Sequence, residues 1–170
     1  MELRTDRLIL RRARQSDLAD VNAFMGHAAA MRYWSTPPHK NIEQTRSWLQ
    51  AMIDAAEEVS ENFLIEFEGR VIGEVGAFPL PHFGFILHPN YWRRGFGFEA
   101  ASAAARHIFE TRAVESLVAD VDPRNADSIS LLEKLGFRRT GHTQGSLSVA
   151  GEWVDSAYYC LNRPAARAQE

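Results

Sequence analysis

A chain of 170 residues, 45% of them hydrophobic, fits one globular domain with room for a substantial core. Its formal net charge of −3 argues against general nucleic-acid binding, which carries a basic footprint, and no apolar run reaches membrane-spanning length. The lone cysteine, Cys160, excludes an internal disulfide framework, and Glu2, Arg4, Asp6 and Arg7 interrupt any apolar leader segment, so a cytoplasmic protein is expected.

Leu8, Ile9 and Leu10, between Arg7 and Arg11, predict a short first strand. Ser16 and Asp17 mark a helix start, with Leu18, Val21, Phe24 and Met25 on one face. After the break at Pro37-Pro38, Asn41 caps a second helix and Gln44 completes a capping-box-like pair. Ile42, Trp48, Leu49, Met52, Ile53 and Ala56 form its apolar stripe. From Asn62 the period shortens to two, with Phe63, Ile65 and Phe67 alternating with Leu64, Glu66 and Glu68. Glu68-Gly69-Arg70 reads as a hairpin turn into a second strand through Val71, Ile72, Val75 and Ala77, which Pro79 and Pro81 end. Residues 83–87 form a third strand that stops at Pro89, and an Ala-rich helix covers residues 100–109.

Residues 117–121 then read as a buried strand, and Pro123-Arg124-Asn125 as a turn. Ile129, Leu131, Leu132 and Leu135 make a short amphipathic helix with Gly136 at its C-terminal cap. Phe137 opens another strand and residues 153–161 the last. The order β-α-α-β-β-β-α-β-α-β-β describes a mixed α/β fold in one domain over residues 1–163, with residues 164–170 as a fraying tail.

The junction between the third strand and the Ala-rich helix carries Tyr91-Trp92-Arg93-Arg94-Gly95-Phe96-Gly97-Phe98-Glu99-Ala100. Two glycines there admit an anion close to backbone N–H groups, and the helix that follows adds unpaired donors and the positive end of its dipole. This is the pattern of a phosphate cradle. The glycines alone fit the dinucleotide fingerprint G-x-G-x-x-A, and Asp120 and Asp122 lie near the ~20-residue distance of a ribose-binding acid. Against that reading, His88-Pro89-Asn90-Tyr91-Trp92 separate strand from glycines, helices and a hairpin come first, and too little chain follows for a two-halved sheet. No Gly-Lys-Ser/Thr follows, which excludes a Walker loop.

The third reading is coenzyme A. The sequence resembles the GNAT superfamily of N-acetyltransferases, most closely the branch that contains ribosomal-protein N-terminal acetyltransferases. Thr5-Asp6-Arg7-Leu8-Ile9-Leu10-Arg11 matches its T-x-R-L-x-L-R opening. Pro89-Asn90-Tyr91-Trp92 and the Gly95 to Ala100 loop match P-x-Y-W and the Gly-x-Gly/Ala loop with Glu-Ala. Asn125-Ala126-Asp127-Ser128 and Glu133-Lys134-Leu135-Gly136-Phe137 match N-x-x-S and E-K-x-G-F. The motifs keep the family's order over most of the chain. Trp92 replaces the superfamily's usual Gln/Arg, as in this branch, and Phe98 is bulkier than the common small residue.

The resemblance implies a central, mostly antiparallel, splayed sheet flanked by helices. It implies direct transfer of an acetyl group from acetyl-CoA to a primary amine, on a protein N-terminus or a small molecule. Backbone N–H groups of Arg94, Gly95, Phe96, Gly97 and Phe98 are expected to hold the pyrophosphate, with Arg93 and Arg94 reaching the phosphates. Backbone groups of Phe85, Ile86, Leu87 and His88 are expected to pair with the pantetheine amides and to hold the developing oxyanion. Asn125 would contact the pantetheine arm or order the site, and Ser128 would give the leaving thiolate a proton or a hydrogen bond; helix capping is the other account of both residues. For the general base, the family's Glu two residues before a glycine falls on His82 when aligned on Gly84, and Glu74 on the neighbouring strand is the other candidate. Tyr33 and Trp34 are candidates for an amine channel, and Glu152 and Asp155 for attracting the amine. The histidines show no ligand spacing, so no metal is expected. The expected partner is the amine acceptor, with neither nucleic acid nor membrane, and a homodimer is left open. A non-catalytic acyl-CoA-binding module is the alternative, and a nucleotide-binding oxidoreductase a more remote one.

Overall fold

The computed structural model describes residues 2–165, so the expected tail lies, from residue 166 on, outside the described residues. The period-two run builds the centre of the structure. Glu61–Phe67 (β3) turns at Glu68 and Gly69, whose φ values of 50° and 76° supply the left-handed backbone that a tight hairpin requires, into Arg70–Ala77 (β4). Phe83–Leu87 (β5) pairs antiparallel with β4, Gly73 opposite Leu87 and Ala77 opposite Phe83. On the other edge Ile9–Arg11 (β2) pairs with β3, and Glu2–Arg4 (β1) pairs with β2. The result is a five-stranded sheet in sequence order, with every pair antiparallel.

A second sheet contains Ser116–Val121 (β6), Arg138–Val149 (β7) and Glu152–Asn162 (β8) in the order β6-β8-β7. The two sheets touch at a parallel bridge between His82 and Val118, beside a 3.0 Å hydrogen bond from the Val118 N–H to the Pro81 carbonyl. Beyond that point β5 and β6 share no ladder, and the sheet splits. Antiparallel hairpins stand where a dinucleotide fold needs repeated parallel βαβ units.

Helices cover both faces. Leu18–Met25 (α1), entered through one 3-10 turn, and Ile42–Asp54 (α2) bury Val21, Phe24, Met25 and Leu49 against Leu64, Val71 and Ile86. Asn41 caps α2 as expected, its Oδ1 accepting from the Gln44 N–H at 3.0 Å. Gln44 returns its bond to the Lys40 N–H rather than to Asn41, so the box is displaced by one residue. On the opposite face Phe96–Thr111 (α3) packs Ala100, Ala101, Ala104 and Ile108 against Phe63, Ile65, Ile72 and Val75; the methyl side chains let helix and sheet approach closely. Ala126–Lys134 (α4) ends with Gly136 at φ 96°, its N–H on the Glu133 carbonyl and the Phe137 N–H on the Leu132 carbonyl, which is the Schellman pattern. No helix among the described residues is long and apolar enough to cross a membrane.

Candidate active site

The split between β5 and β6 opens into a cavity of about 1210 Å³. Glu74, Asn62, Tyr33, Trp34 and Trp48 line it on the α1/α2 face, and Gly97, Phe98, Asn125, Ser128 and Leu131 on the α3/α4 face. The cavity therefore passes through the sheet instead of lying on one side of it.

The exposed edge of β5 follows from its pairing. The His88 N–H donates to the Ile72 carbonyl at 2.8 Å, so residues 84, 86 and 88 direct their backbone groups toward β4. Phe85 and Leu87 direct theirs outward into the split. The Leu87 carbonyl is taken by the indole N–H of Trp92 at 2.8 Å. Phe85 keeps both of its backbone groups open, and Leu87 keeps its N–H. Of the residues 85–88 expected to offer backbone groups, Ile86 and His88 are committed to the sheet, and Trp92 is a contributor that sequence reasoning missed.

The loop before α3 is left-handed at Arg93 (φ 57°) and Gly95 (φ 80°). The first helical bond runs from the Glu99 N–H to the Gly95 carbonyl, so the N–H groups of Phe96, Gly97 and Phe98 have no helical acceptor. A Cβ at Gly97 would lie 3.2 Å from Leu131 Cδ2 and 3.5 Å from Leu87 Cδ1, so α4 and β5 close on this position and only hydrogen fits without displacement. The two arginines part company here. Arg93 lines the cavity, its guanidinium exposed and 3.9 Å from Asp127. Arg94 turns away and lies over the rings of Phe67, Tyr91 and Phe96 at 5.4, 5.7 and 4.8 Å from their centroids. Phe96 is buried beneath it, and Phe98 lines the cavity with the Lys134 ammonium 4.5 Å from its ring centroid. His88 accepts from the Asn90 N–H and meets His27 edge to face; burial, and then His27, push its pKa down. Phe85, Ile86, Leu87, Arg93, Gly95, Gly97, Phe98 and Asn125 thus border the cavity, while the His88, Arg94 and Phe96 side chains do not.

Asn125 caps α4 by accepting from the Ser128 N–H at 3.2 Å, and both residues border the cavity. Capping and site placement coincide. Tyr33 and Trp34 border it as well. Glu152 is paired with Arg124, and Asp155 accepts from the Gly145 N–H beside His142. Asp122 is held by Arg124, which keeps its carboxyl below the usual range.

Both candidate bases border the cavity. His82 forms the bridge that joins the sheets, its N–H and carbonyl engaged with Pro79 and Phe78. Glu74 is 7% exposed in the middle of β4, flanked in register by Leu64 and Ile86. Asn62 Nδ2 donates to its Oε1 at 2.9 Å, and Oε2 has no hydrogen-bond partner. Burial disfavours its charged form and pushes its pKa up to about 7. Asn62 is a second site residue that sequence reasoning missed. Among the described residues no grouping of three or more His, Cys, Asp or Glu side chains suits a metal ion.

A sequence profile of the acetyltransferase (GNAT) domain matches residues 7–138. The chain belongs to this family. This acetyltransferase is 25% identical over 168 residues to the uncharacterized N-acetyltransferase p20 of Bacillus licheniformis, an alignment that covers 94% of each chain. Its fold matches RimL, a ribosomal L7/L12 alpha-N-protein acetyltransferase solved in complex with coenzyme A, with a TM-score of 0.86 over 98% of this chain and 100% of that one at 17% identity. It matches spermidine N-acetyltransferase from Vibrio cholerae, solved with CoA and spermine, with a TM-score of 0.79 over 94% and 97% of the two chains at 19% identity. At such identities the two structures establish a shared fold, and that fold is the expected mostly antiparallel, splayed sheet flanked by helices.

Proposed function

We propose that this acetyltransferase transfers an acetyl group from acetyl-CoA directly to a primary amine within the β5–β6 split. One observation carries the reading: a single cavity joins a buried carboxyl with an unpartnered oxygen to an open strand edge and a helix N-terminus. The residues present suit the cofactor. Unpaired N–H groups of Phe96, Gly97 and Phe98 and the dipole of α3 favour a pyrophosphate, with Arg93 beside them. The outward backbone groups of Phe85 offer strand-like pairing to an amide-bearing arm.

When bound, acetyl-CoA supplies a thioester whose acyl carbon the amine attacks. Glu74 takes the proton that the amine loses as its nitrogen bonds to that carbon. A carboxyl near neutrality suits this task, since a base works best with a pKa close to the working pH. Asn62 fixes the orientation of the carboxyl, leaving Oε2 as the accepting atom. An outward N–H of β5, that of Phe85 or Leu87, stabilises the oxyanion, and Ser128 donates its hydroxyl proton to the sulfur as the carbon–sulfur bond breaks, recovering a proton from solvent. His82 is assigned to holding the sheets together.

Tyr33 and Trp34 offer aromatic faces to the incoming cation, and the acceptor is the amine of a protein N-terminus or of a small molecule. The names of the structural neighbours span both kinds: RimL modifies ribosomal L7/L12, and the Vibrio cholerae enzyme modifies spermidine. A cytoplasmic setting completes the reading, in keeping with the lone free cysteine. Thiol release from acetyl-CoA is measured against a panel of N-terminal peptides and polyamines, alongside thermal shifts with acetyl-CoA, CoA and NAD. Turnover with at least one amine and stabilisation by both CoA species are expected. Stabilisation without turnover would establish the non-catalytic alternative, and stabilisation by NAD alone would remove coenzyme A from the site.

A further inference from the structure

The N-terminal Thr5-x-Arg7 segment and Glu99 meet across 94 residues of sequence at the back of the cradle loop. Thr5 Oγ1 donates to Glu99 Oε1 at 2.5 Å, and the Arg7 N–H donates to the same oxygen at 2.8 Å. Arg7 Nε and Nη2 each lie 2.7 Å from Glu99 Oε2. The same guanidinium donates from Nη1 to the Arg94 carbonyl at 2.9 Å and lies 4.4 Å from the Phe96 ring centroid. One side chain therefore grips the loop at Arg94, at Phe96 and at Glu99, spanning the left-handed Gly95 between them.

We infer that Thr5, Arg7 and Glu99 form a clamp that positions the phosphate-binding end of the acetyl-CoA site. The inference rests on the coenzyme A reading above. Two physical effects support it. A trans peptide is planar, with its carbonyl and N–H opposed, so anchoring the Arg94 carbonyl to Arg7 aims the Gly95 N–H away from Arg7. Arg94 faces away from the cavity and Gly95 borders it, so the anchor presents the Gly95 donor to the ligand side. The second effect is charge. Glu99 lies in the first turn of α3, and an uncompensated carboxylate there would repel a phosphate and compete with it for the helix dipole. Burial would raise the Glu99 pKa, but hydrogen bonds from Thr5 and Arg7 outweigh it and keep the group ionised and paired. Arg7 thus orients the donors and cancels the charge that would oppose their ligand.

The test compares acetyl-CoA with S-acetyl-pantetheine, which carries the thioester but no nucleotide phosphate, at saturating amine. In Arg7→Met the acetyl-CoA KM is expected to rise roughly tenfold, while kcat and KM for S-acetyl-pantetheine stay at wild-type values. Arg7→Lys keeps the charge but cannot span Glu99 and Arg94 together, so an intermediate rise is expected. Adding Glu99→Gln to Arg7→Met should recover part of the loss by removing the exposed charge. Equal rises for both thioesters, or none for either, would overturn the clamp and leave Arg7 as a brace of the fold. The Arg7→Lys arm decides the matter should Arg7→Met fold poorly. A wild-type enzyme that does not prefer acetyl-CoA over S-acetyl-pantetheine would instead remove the phosphate site itself.

Discussion

Replacing Glu74 by glutamine tests the proposed base through stability as well as rate. The side chain keeps its shape and its Oε1 acceptor for Asn62, and loses the ability to ionise. In the folded protein burial moves this carboxyl from 4.5 to about 7, a shift worth about 3 kcal/mol. The folded protein thus holds a proton that the unfolded chain has already released. Stability therefore falls as pH rises from the unfolded value through the folded one, and the full cost is present above it. Glu74→Gln removes that dependence. Constant terms, such as the unpaired amide placed at the Oε2 position, cancel when the variant is compared with wild type at two pH values. Between about pH 5 and pH 8.5 the gain of the variant over wild type should grow by roughly 2–3 kcal/mol. For a chain of this size that corresponds to a Tm difference widening by about 5–10 °C, read by thermal denaturation across pH. Turnover should fall by about a hundredfold or more, and wild-type kcat/KM should rise through about pH 7 as Glu74 loses its proton. A Tm difference that stays flat with pH would refute the buried neutral carboxyl. A flat difference together with full activity would refute Glu74 as the base.

Gly84 tests the acceptor side. A Cβ there would meet nothing within 4 Å and the residue borders the cavity, so Gly84→Leu should change stability by no more than about 0.5 kcal/mol while raising the amine KM. Unchanged amine kinetics in a folded variant would place the acceptor elsewhere. Asn125 separates capping from cofactor contact: Asn125→Ala should cost about 1 kcal/mol by calorimetry, and Asn125→Ser should restore that stability but not the acetyl-CoA KM. Recovery of both by serine would reduce Asn125 to a cap.

The parts of the fold visible in the sequence are those where one local signal dominates. The β3–β4 hairpin followed from period-two alternation and Gly69, β5 from its bounding prolines, and the α3 contact from its alanines. β1 escaped because three residues, two of them charged, carry no pattern; pairing of Leu3 with Leu10 makes the strand. The site was legible as a set of motifs and illegible as geometry. Arg93 and Arg94 are equivalent in sequence, yet a left-handed residue between strand and helix sends one toward the cavity and the other onto three aromatic rings. Alignment on Gly84 directed attention to His82, whereas the burial of Glu74 arises from α1, α2 and neighbouring strands that no local window contains. The T-x-R opening could be matched to a family, but its bond to Glu99 exists only in the folded chain.

The split in the sheet is what lets these parts act together. Glu74 faces the α1/α2 side, while the helix N-terminus of α3 and Ser128 lie on the α3/α4 side. A continuous ladder between β5 and β6 would wall the proposed base from the proposed thioester position. The Val118 bond to Pro81 and the bridge at His82 pin the strands at one end, so separation begins there and widens toward Leu87 and Val121. Widening alone would leave an unpaired edge along both Phe85 and Leu87, an invitation to further strand pairing. The Trp92 indole closes the Leu87 carbonyl and leaves the Leu87 N–H, with both backbone groups of Phe85, on the open edge. Gly84 precedes Phe85 on the strand and places no side chain on the Glu74 face. Gly84 lines the same cavity as Glu74, Phe85 and Leu87, so under the proposed mechanism an amine can lose its proton on one face of the sheet and reach an acyl carbon held in the split.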